Sequence, residues 1–258
     1  MHPSITRIGR GARPAGPQGR LGRRFGFAAA AFALSICMLG TTLPTSLYGL
    51  YRERFGFSEL MITVIFATYA AGVIASLVLF GRLSDQIGRR RVLLPGLVLS
   101  ALSAVCFLTA TGLPLLLVGR VLSGLSAGIF TGTATATLID LAPAGRRGRA
   151  TLVATVANVG ALGSGPLLSG LLSQWAGSPL RLTFWVDLAL VVPAAIGIWA
   201  MPEPIAGTSH PQLRPRALRI PKEMRSIFIE AAVAAFAGFA VLGLLTAVTP
   251  DFLGQEPE

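Results

Sequence analysis

The sequence predicts an all-α protein, a polytopic bundle of membrane-spanning helices, and three observations carry that reading. Of 258 residues, 53% are hydrophobic and only 13% charged, against about 25% charged in an ordinary soluble domain. The apolar residues gather into seven long runs, approximately 26–48, 60–80, 92–112, 114–139, 151–173, 182–201 and 228–249. The basic residues collect in every second connection between those runs.

A hydrocarbon core about 30 Å thick is crossed by roughly 20 helical residues, and every run is long enough. The runs lack the period-2 alternation of a membrane barrel. Backbone amides in lipid must be paired within their own segment, which makes each run a helix. Residues 1–25 are polar and carry six arginines among Pro and Gly, so they read as a disordered basic tail. The first run is longer than the roughly 7–15 apolar residues of a signal-peptide core, so it reads as a retained helix. The third and fourth runs are joined by a short turn near Thr111-Gly112 and form a tight antiparallel pair. Six runs complete a helical unit over 26–201. Pro202 and Pro204 then stop the sixth helix. Residues 202–227 form a Pro- and Arg-rich linker suited to lie near anionic headgroups. Residues 228–258 supply the seventh helix and a short tail.

Eighteen of the 22 bases lie in the tail and in the second, fourth and sixth connections. Only Arg52, Arg54 and Arg181 lie on the other side, and Arg120 is alone within a run. The positive-inside bias therefore places the N-terminus in the cytoplasm and the C-terminus outside, in a cell membrane. The net charge of +11 does not imply a nucleic-acid surface, because the bases fill gaps between apolar runs instead of one face of a soluble fold. Cys37 and Cys106 sit inside apolar runs and His2 and His210 in polar stretches, so neither a metal site nor a Ser-His-Asp triad has the residues it needs. The sequence predicts no enzyme, no metal and no cofactor.

Three motifs carry the functional reading. The first is "GRLSDQIGRRRVLL", residues 81–94. Gly81 and Gly88 permit a sharp turn, and Asp85 needs a cationic or backbone N–H partner near the membrane edge. The arginines alone serve as topology determinants; the acid and the glycines at this spacing ask for more. The second is Arg120 within "GRVLSGLSAGIFTG". A cation in an apolar helix marks a functional position, unless it snorkels to the outer interface. Gly124, Gly128 and Gly132 on the same run permit close approach of a neighbour. Asp140, at the inner end of this run, reads as an ion partner for Arg146, Arg147 and the inner loops, or as a plain interfacial acid. The third is "ANVGALGSGPLLSGLL", where Ala161, Gly165 and Ser169 make a small-residue stripe and Pro166 bends the helix.

These residues resemble the major facilitator superfamily of transporters. Gly81, Leu83, Asp85, Gly88, Arg89 and Arg90 match its signature G-x-L-x-D-x-x-G-R-[RK] after the second helix, where the resemblance implies a latch between two halves of the transporter. Arg120, Ser123 and Gly124 loosely match the R-x-x-[QS]-G form of the fourth helix, where relatives use the arginine to tune a carboxylate or the substrate site. Gly165, Pro166, Ser169 and Gly170 resemble the G-P-x-x-G-G motif of drug/proton antiporters, with Ser169 replacing a glycine; ordinary packing around a proline kink explains the same residues. The acid that many such antiporters carry on the first helix is missing, which leaves Asp187, in the sixth run, and Glu230 as candidates for coupling. The resemblance implies a secondary exporter of small organic molecules or drugs, working by alternating access, with a proton as coupling ion. Family members have twelve or more helices, so the chain reads as an N-terminal half plus one helix: a truncated transporter, or a non-transporting or half-transporter membrane subunit that pairs with a second membrane chain.

Overall fold

The computed structural model describes residues 17–81, 83–143, 145–175, 178–204 and 225–253. Among the described residues every regular element is a helix. Helix α1 runs Pro17–Thr42; a 3-10 turn over Leu43–Leu47, entered through Pro44, leads into α2, Tyr48–Phe55. Then come α3 (Glu59–Phe80), the short α4 (Leu83–Ile87), α5 (Arg89–Leu108), α6 (Leu113–Leu141), α7 (Arg147–Trp175), α8 (Pro179–Ala200) and α9 (Arg225–Leu253). The chain divides into two compact units, Met1–Leu213 and Arg214–Glu258. The second contributes α9, which covers the seventh predicted run.

In the first unit α3 and α5 pack on α6, while α1 packs on α6, α7 and α8, and α8 also lies against α5. The core is two clusters. Ala33, Leu34, Leu93, Leu97, Phe130 and Ile198 fill the larger one. Leu47, Tyr51, Ile65, Phe107, Leu116 and Phe184 fill the other. Large apolar residues also cover much of the outside: Ile74, Leu79, Val98, Val156, Leu167 and Ile196 are all exposed. Continuous apolar exposure on this scale belongs to a lipid-facing surface. Six helical stretches among the described residues are long and apolar enough to cross a membrane, from Leu21–Phe55 to Leu180–Ala200.

Without a hydrophobic force between helices in lipid, close contact rests on small residues. At α3/α6 this is literal. A Cβ on Gly72 would lie 2.9 Å from the Val121 carbonyl oxygen and 3.2 Å from the Gly124 Cα; one on Gly128 would lie 2.7 Å from the Ser76 Cβ. Gly132 meets nothing nearer than Leu77, at 3.9 Å. Successive residues four apart drift by about 40° around a helix, so the third glycine leaves the seam.

Several boundaries differ from the sequence reading. Residues 17–25, assigned there to a disordered tail, belong to α1; Arg23 anchors this end by donating from Nη2 to the carbonyl oxygens of Asp140 (2.9 Å) and Ala142 (3.4 Å). The first span continues past residue 48 to Phe55, because Pro44 tightens the backbone without ending the helical course, which Gly56 stops in a left-handed conformation at φ 68°. Helix α5 ends at Leu108, and the turn to α6 is Thr109–Gly112. Residues 1–16 and most of the linker, 205–224, lie outside the described residues.

Candidate functional site

The Gly81–Leu94 stretch folds as a helix end, a helical turn and a helix start. Gly81 closes α3, its N–H donating to the Leu77 carbonyl at 3.1 Å. Gly88 separates α4 from α5 at φ 104°, ψ 147°, a conformation essentially confined to glycine. This turn buries Arg89 between two acids. Its Nη1 lies 2.5 Å from Asp85 Oδ1 and its Nε 3.0 Å from Asp140 Oδ2; Nη1 also donates to Ser84 Oγ at 2.7 Å. The Arg89 side chain is 7% exposed, whereas Asp85 is 55% exposed. Asp85 thus offers a face to whatever packs on this basic end of the bundle. Leu83 is half-buried beside it.

Asp140 therefore pairs with Arg89 and not with Arg146 or Arg147. After α6 ends at Leu141 the chain turns through Gly145, φ 79°. Arg146 and Arg147 are then exposed and make no ion pair among the described residues. Geometry, not sequence proximity, selects the partner.

Glu203 is a member of this cluster that sequence reasoning missed. Its Oε1 accepts the backbone N–H of Arg89 at 2.7 Å and its Oε2 that of Arg90 at 3.1 Å. The carboxylate of the segment after α8 thereby caps the first turn of α5, where free N–H groups and the helix dipole favour an anion. A Cβ on Gly88 would lie 2.9 Å from Glu203 Oε2, which gives that glycine a second reason. The available signal was an acid between Pro202 and Pro204, read only as the end of a helix.

Arg120 does not snorkel. It is 1% exposed. Its Nε donates to the Tyr48 hydroxyl and its Nη1 to the Thr41 carbonyl oxygen at 2.6 Å. Its guanidinium carbon lies 5.0 Å from the ring centre of Tyr48, 5.6 Å from those of Phe66 and Phe107, and 5.7 Å from that of Tyr69. Four ring faces supply the negative potential that a desolvated cation needs. Nη2 is buried and has no partner. The sequence shows the arginine but not its aromatic cage, whose members come from α2, α3 and α5.

Asp187, on α8, is 3% exposed. Its Oδ1 has no hydrogen-bond partner, and no cation pairs with it among the described residues. It faces α1 at Gly40, where a Cβ would lie 2.8 Å from Oδ1. Arg120 and Asp187 thus reach consecutive residues of α1, Thr41 and Gly40. Nearby, the Cys37 sulfur lies 3.1 Å from Ser126 Oγ, which donates to the Gly96 carbonyl at 2.7 Å. Glu230 is exposed on α9 and accepts from Ser226 Oγ at 3.1 Å.

On α7, Ala161, Gly165 and Ser169 form one buried stripe. Gly165 meets α1 so closely that a Cβ would overlap Thr42 Oγ1. Ser46 Oγ donates to the Pro166 carbonyl at 3.0 Å and Ser169 Oγ to the same oxygen at 3.2 Å. Gly170 is half-buried and has nothing within contact of a Cβ, so it takes no part in this seam.

Comparison with known proteins gives a consistent result. Residues 25–256 match the family model of the Major Facilitator Superfamily. A chloramphenicol resistance protein of Streptomyces lividans is 31% identical over 237 residues, 86% of this chain and 58% of its own length. A triacylglyceride transporter of Mycobacteroides abscessus is 34% identical over 137 residues, 52% of this chain and 26% of its own length. The chain thus spans less than two thirds of the length of these relatives. In fold, it resembles a crystal structure of the peptide transporter POT in complex with sulfate, with a TM-score of 0.60 and 18% identity over 95% of this chain and 49% of that one. With the family match covering nearly all of the chain and the fold agreeing, the chain belongs to the Major Facilitator Superfamily.

Proposed function

We propose that the chain forms the N-terminal wall of a proton-coupled exporter of small organic molecules, with chloramphenicol-like drugs as the substrate class to try first. One observation carries the reading: a buried arginine with one unpartnered nitrogen, Nη2, and a buried carboxylate that no cation pairs with among the described residues reach α1 at adjacent residues, Thr41 and Gly40. Ionisable groups within a membrane bundle are costly and belong to transport pathways. Arg120 Nη2 offers a donor to a polar substrate group, and Asp187 a carboxylate that holds a proton when no cation faces it. The basic end lies in the cytoplasm of a cell membrane, where the Asp85–Arg89–Asp140 cluster acts as a latch that rocking of two halves makes and breaks. Export is the direction favoured by the 31% identity to a chloramphenicol resistance protein and by the close α1/α7 seam at Gly165 and Pro166.

The test is drug accumulation in a host stripped of its own exporters, with this chain expressed as the N-terminal part of a full-length transporter. Expression lowers steady-state chloramphenicol accumulation, and a protonophore restores it. Unchanged accumulation with the protein present in the membrane refutes export of this class; an effect that persists after the proton gradient collapses refutes the coupling.

A further inference from the structure

A cleft of about 450 Å³ opens at the basic end between α4, the start of α5 and the segment after α8, lined by Ile87, Arg90, Arg91, Leu94 and Glu203. The function proposed above makes no use of it. Neither Arg90 nor Arg91 makes an ion pair among the described residues. Arg90 is held over the Trp199 ring, 5.7 Å from its centre, and Arg91 is exposed. The Glu203 carboxylate turns toward the first N–H groups of α5, so much of its charge is already answered there. The cleft therefore keeps an excess of positive charge.

Below the arginines both helices present apolar stripes. On α5, Val98 and Leu102 follow Leu94 at helical spacing, 57% and 47% exposed. On α8, Val192, Ile196 and Trp199 share one face and are 58–63% exposed. Two guanidiniums sit beyond the ends of these apolar stripes, with Trp199 on the last turn of α8, a ring type that favours the membrane–water interface. Basic pockets between membrane helices suit phosphate-bearing headgroups, and arginine matches phosphate oxygens with paired donors.

We infer that this cleft is a binding site for an anionic phospholipid, its phosphate between Arg90 and Arg91 and its acyl chains along the Leu94–Leu102 and Val192–Trp199 stripes. The ligand chemistry is a phosphodiester; the apolar stripes below it choose a lipid over free phosphate. Because Glu203 lines the same cleft and caps α5 beside Arg89, an occupied site borders the latch directly.

The experiment is native mass spectrometry of the full chain released from micelles and titrated with phosphatidylglycerol, phosphatidylethanolamine, phosphatidylcholine or inorganic phosphate. A headgroup-level base is worth about a fivefold change in lipid affinity, so the double variant R90Q/R91Q weakens phosphatidylglycerol binding about 20- to 30-fold. The control R146Q/R147Q removes two exposed bases elsewhere and changes it less than twofold. Millimolar phosphate does not displace the lipid. Equal losses in the two double variants mean diffuse surface attraction and overturn the site. So do unchanged binding in R90Q/R91Q, equal affinity for either zwitterionic lipid, and displacement by phosphate alone. Circular dichroism of both variants checks that the bundle is intact, and the single variant R91Q, at an exposed position, gives a second reading of about fivefold.

Discussion

Glu203 is the most direct way to test whether the latch is built as described. In Glu203→Ala two N–H groups of the first turn of α5, those of Arg89 and Arg90, lose the acceptors that stand at 2.7 and 3.1 Å. Loss of a helix cap costs about 1 kcal/mol. A charge-assisted bond, when shielded, is worth about 1.5–3 kcal/mol. Glu203 is exposed, so water replaces part of what is lost and screening reduces the rest. The expected destabilisation is about 1–2 kcal/mol. Glu203→Gln keeps one carbonyl acceptor but gives up the interaction of the charge with the helix dipole, about 0.3–1 kcal/mol, and should lose about half as much. The assay is reversible unfolding of the purified chain in dodecyl maltoside by added dodecyl sulfate, followed by far-ultraviolet circular dichroism. An Ala variant within 0.3 kcal/mol of the parent, by the same cap scale, refutes the cap.

Gly88→Ala places a side chain at φ 104° and against Glu203; it should cost about 1–3 kcal/mol in the same assay, and a loss under about 0.5 kcal/mol contradicts the strained turn. Gly124→Leu forces α3 from α6 where a Cβ already meets the Tyr69 carbonyl; overpacking of this kind costs about 1–3 kcal/mol or more, and a parent-like unfolding curve speaks against the seam. Arg120→Lys keeps the charge but loses the planar group that four rings surround and one of its two hydrogen bonds; transport should fall at least about tenfold, equivalent to about 1.4 kcal/mol, at unchanged membrane level, and parent-like rates contradict a role for Arg120 in transport.

How much of this was readable in the sequence depends on the range of the interaction. Membrane helices announce themselves because lipid demands about 20 apolar residues and internal pairing of the backbone; α3, α6 and α8 begin and end within three residues of the predicted runs. Ends set by polar contacts are another matter. Helix α1 extends back to Pro17, where Arg23 meets carbonyls 117 and 119 residues away. The signature around Asp85 was legible as a motif because its glycines and charges are local. Its partners are not: Arg89 takes Asp140, and α5 takes its cap from Glu203, 114 residues on. Arg120 was visible as a costly residue, but nothing near it in the chain distinguishes snorkelling from burial. The deciding groups, Tyr48, Phe66, Tyr69 and Phe107, are spread over 60 residues and read individually as ordinary core.

The central claim, drug export driven by protons through Asp187, meets its sharpest test in inverted membrane vesicles acidified inside and loaded with a pH-sensitive dye. Addition of chloramphenicol to vesicles carrying the parent, a full-length transporter with this chain as its N-terminal part, should release protons and restore fluorescence, and Asp187→Asn at equal membrane level should abolish that response. No response from the parent, or an equal response from Asp187→Asn, contradicts the account.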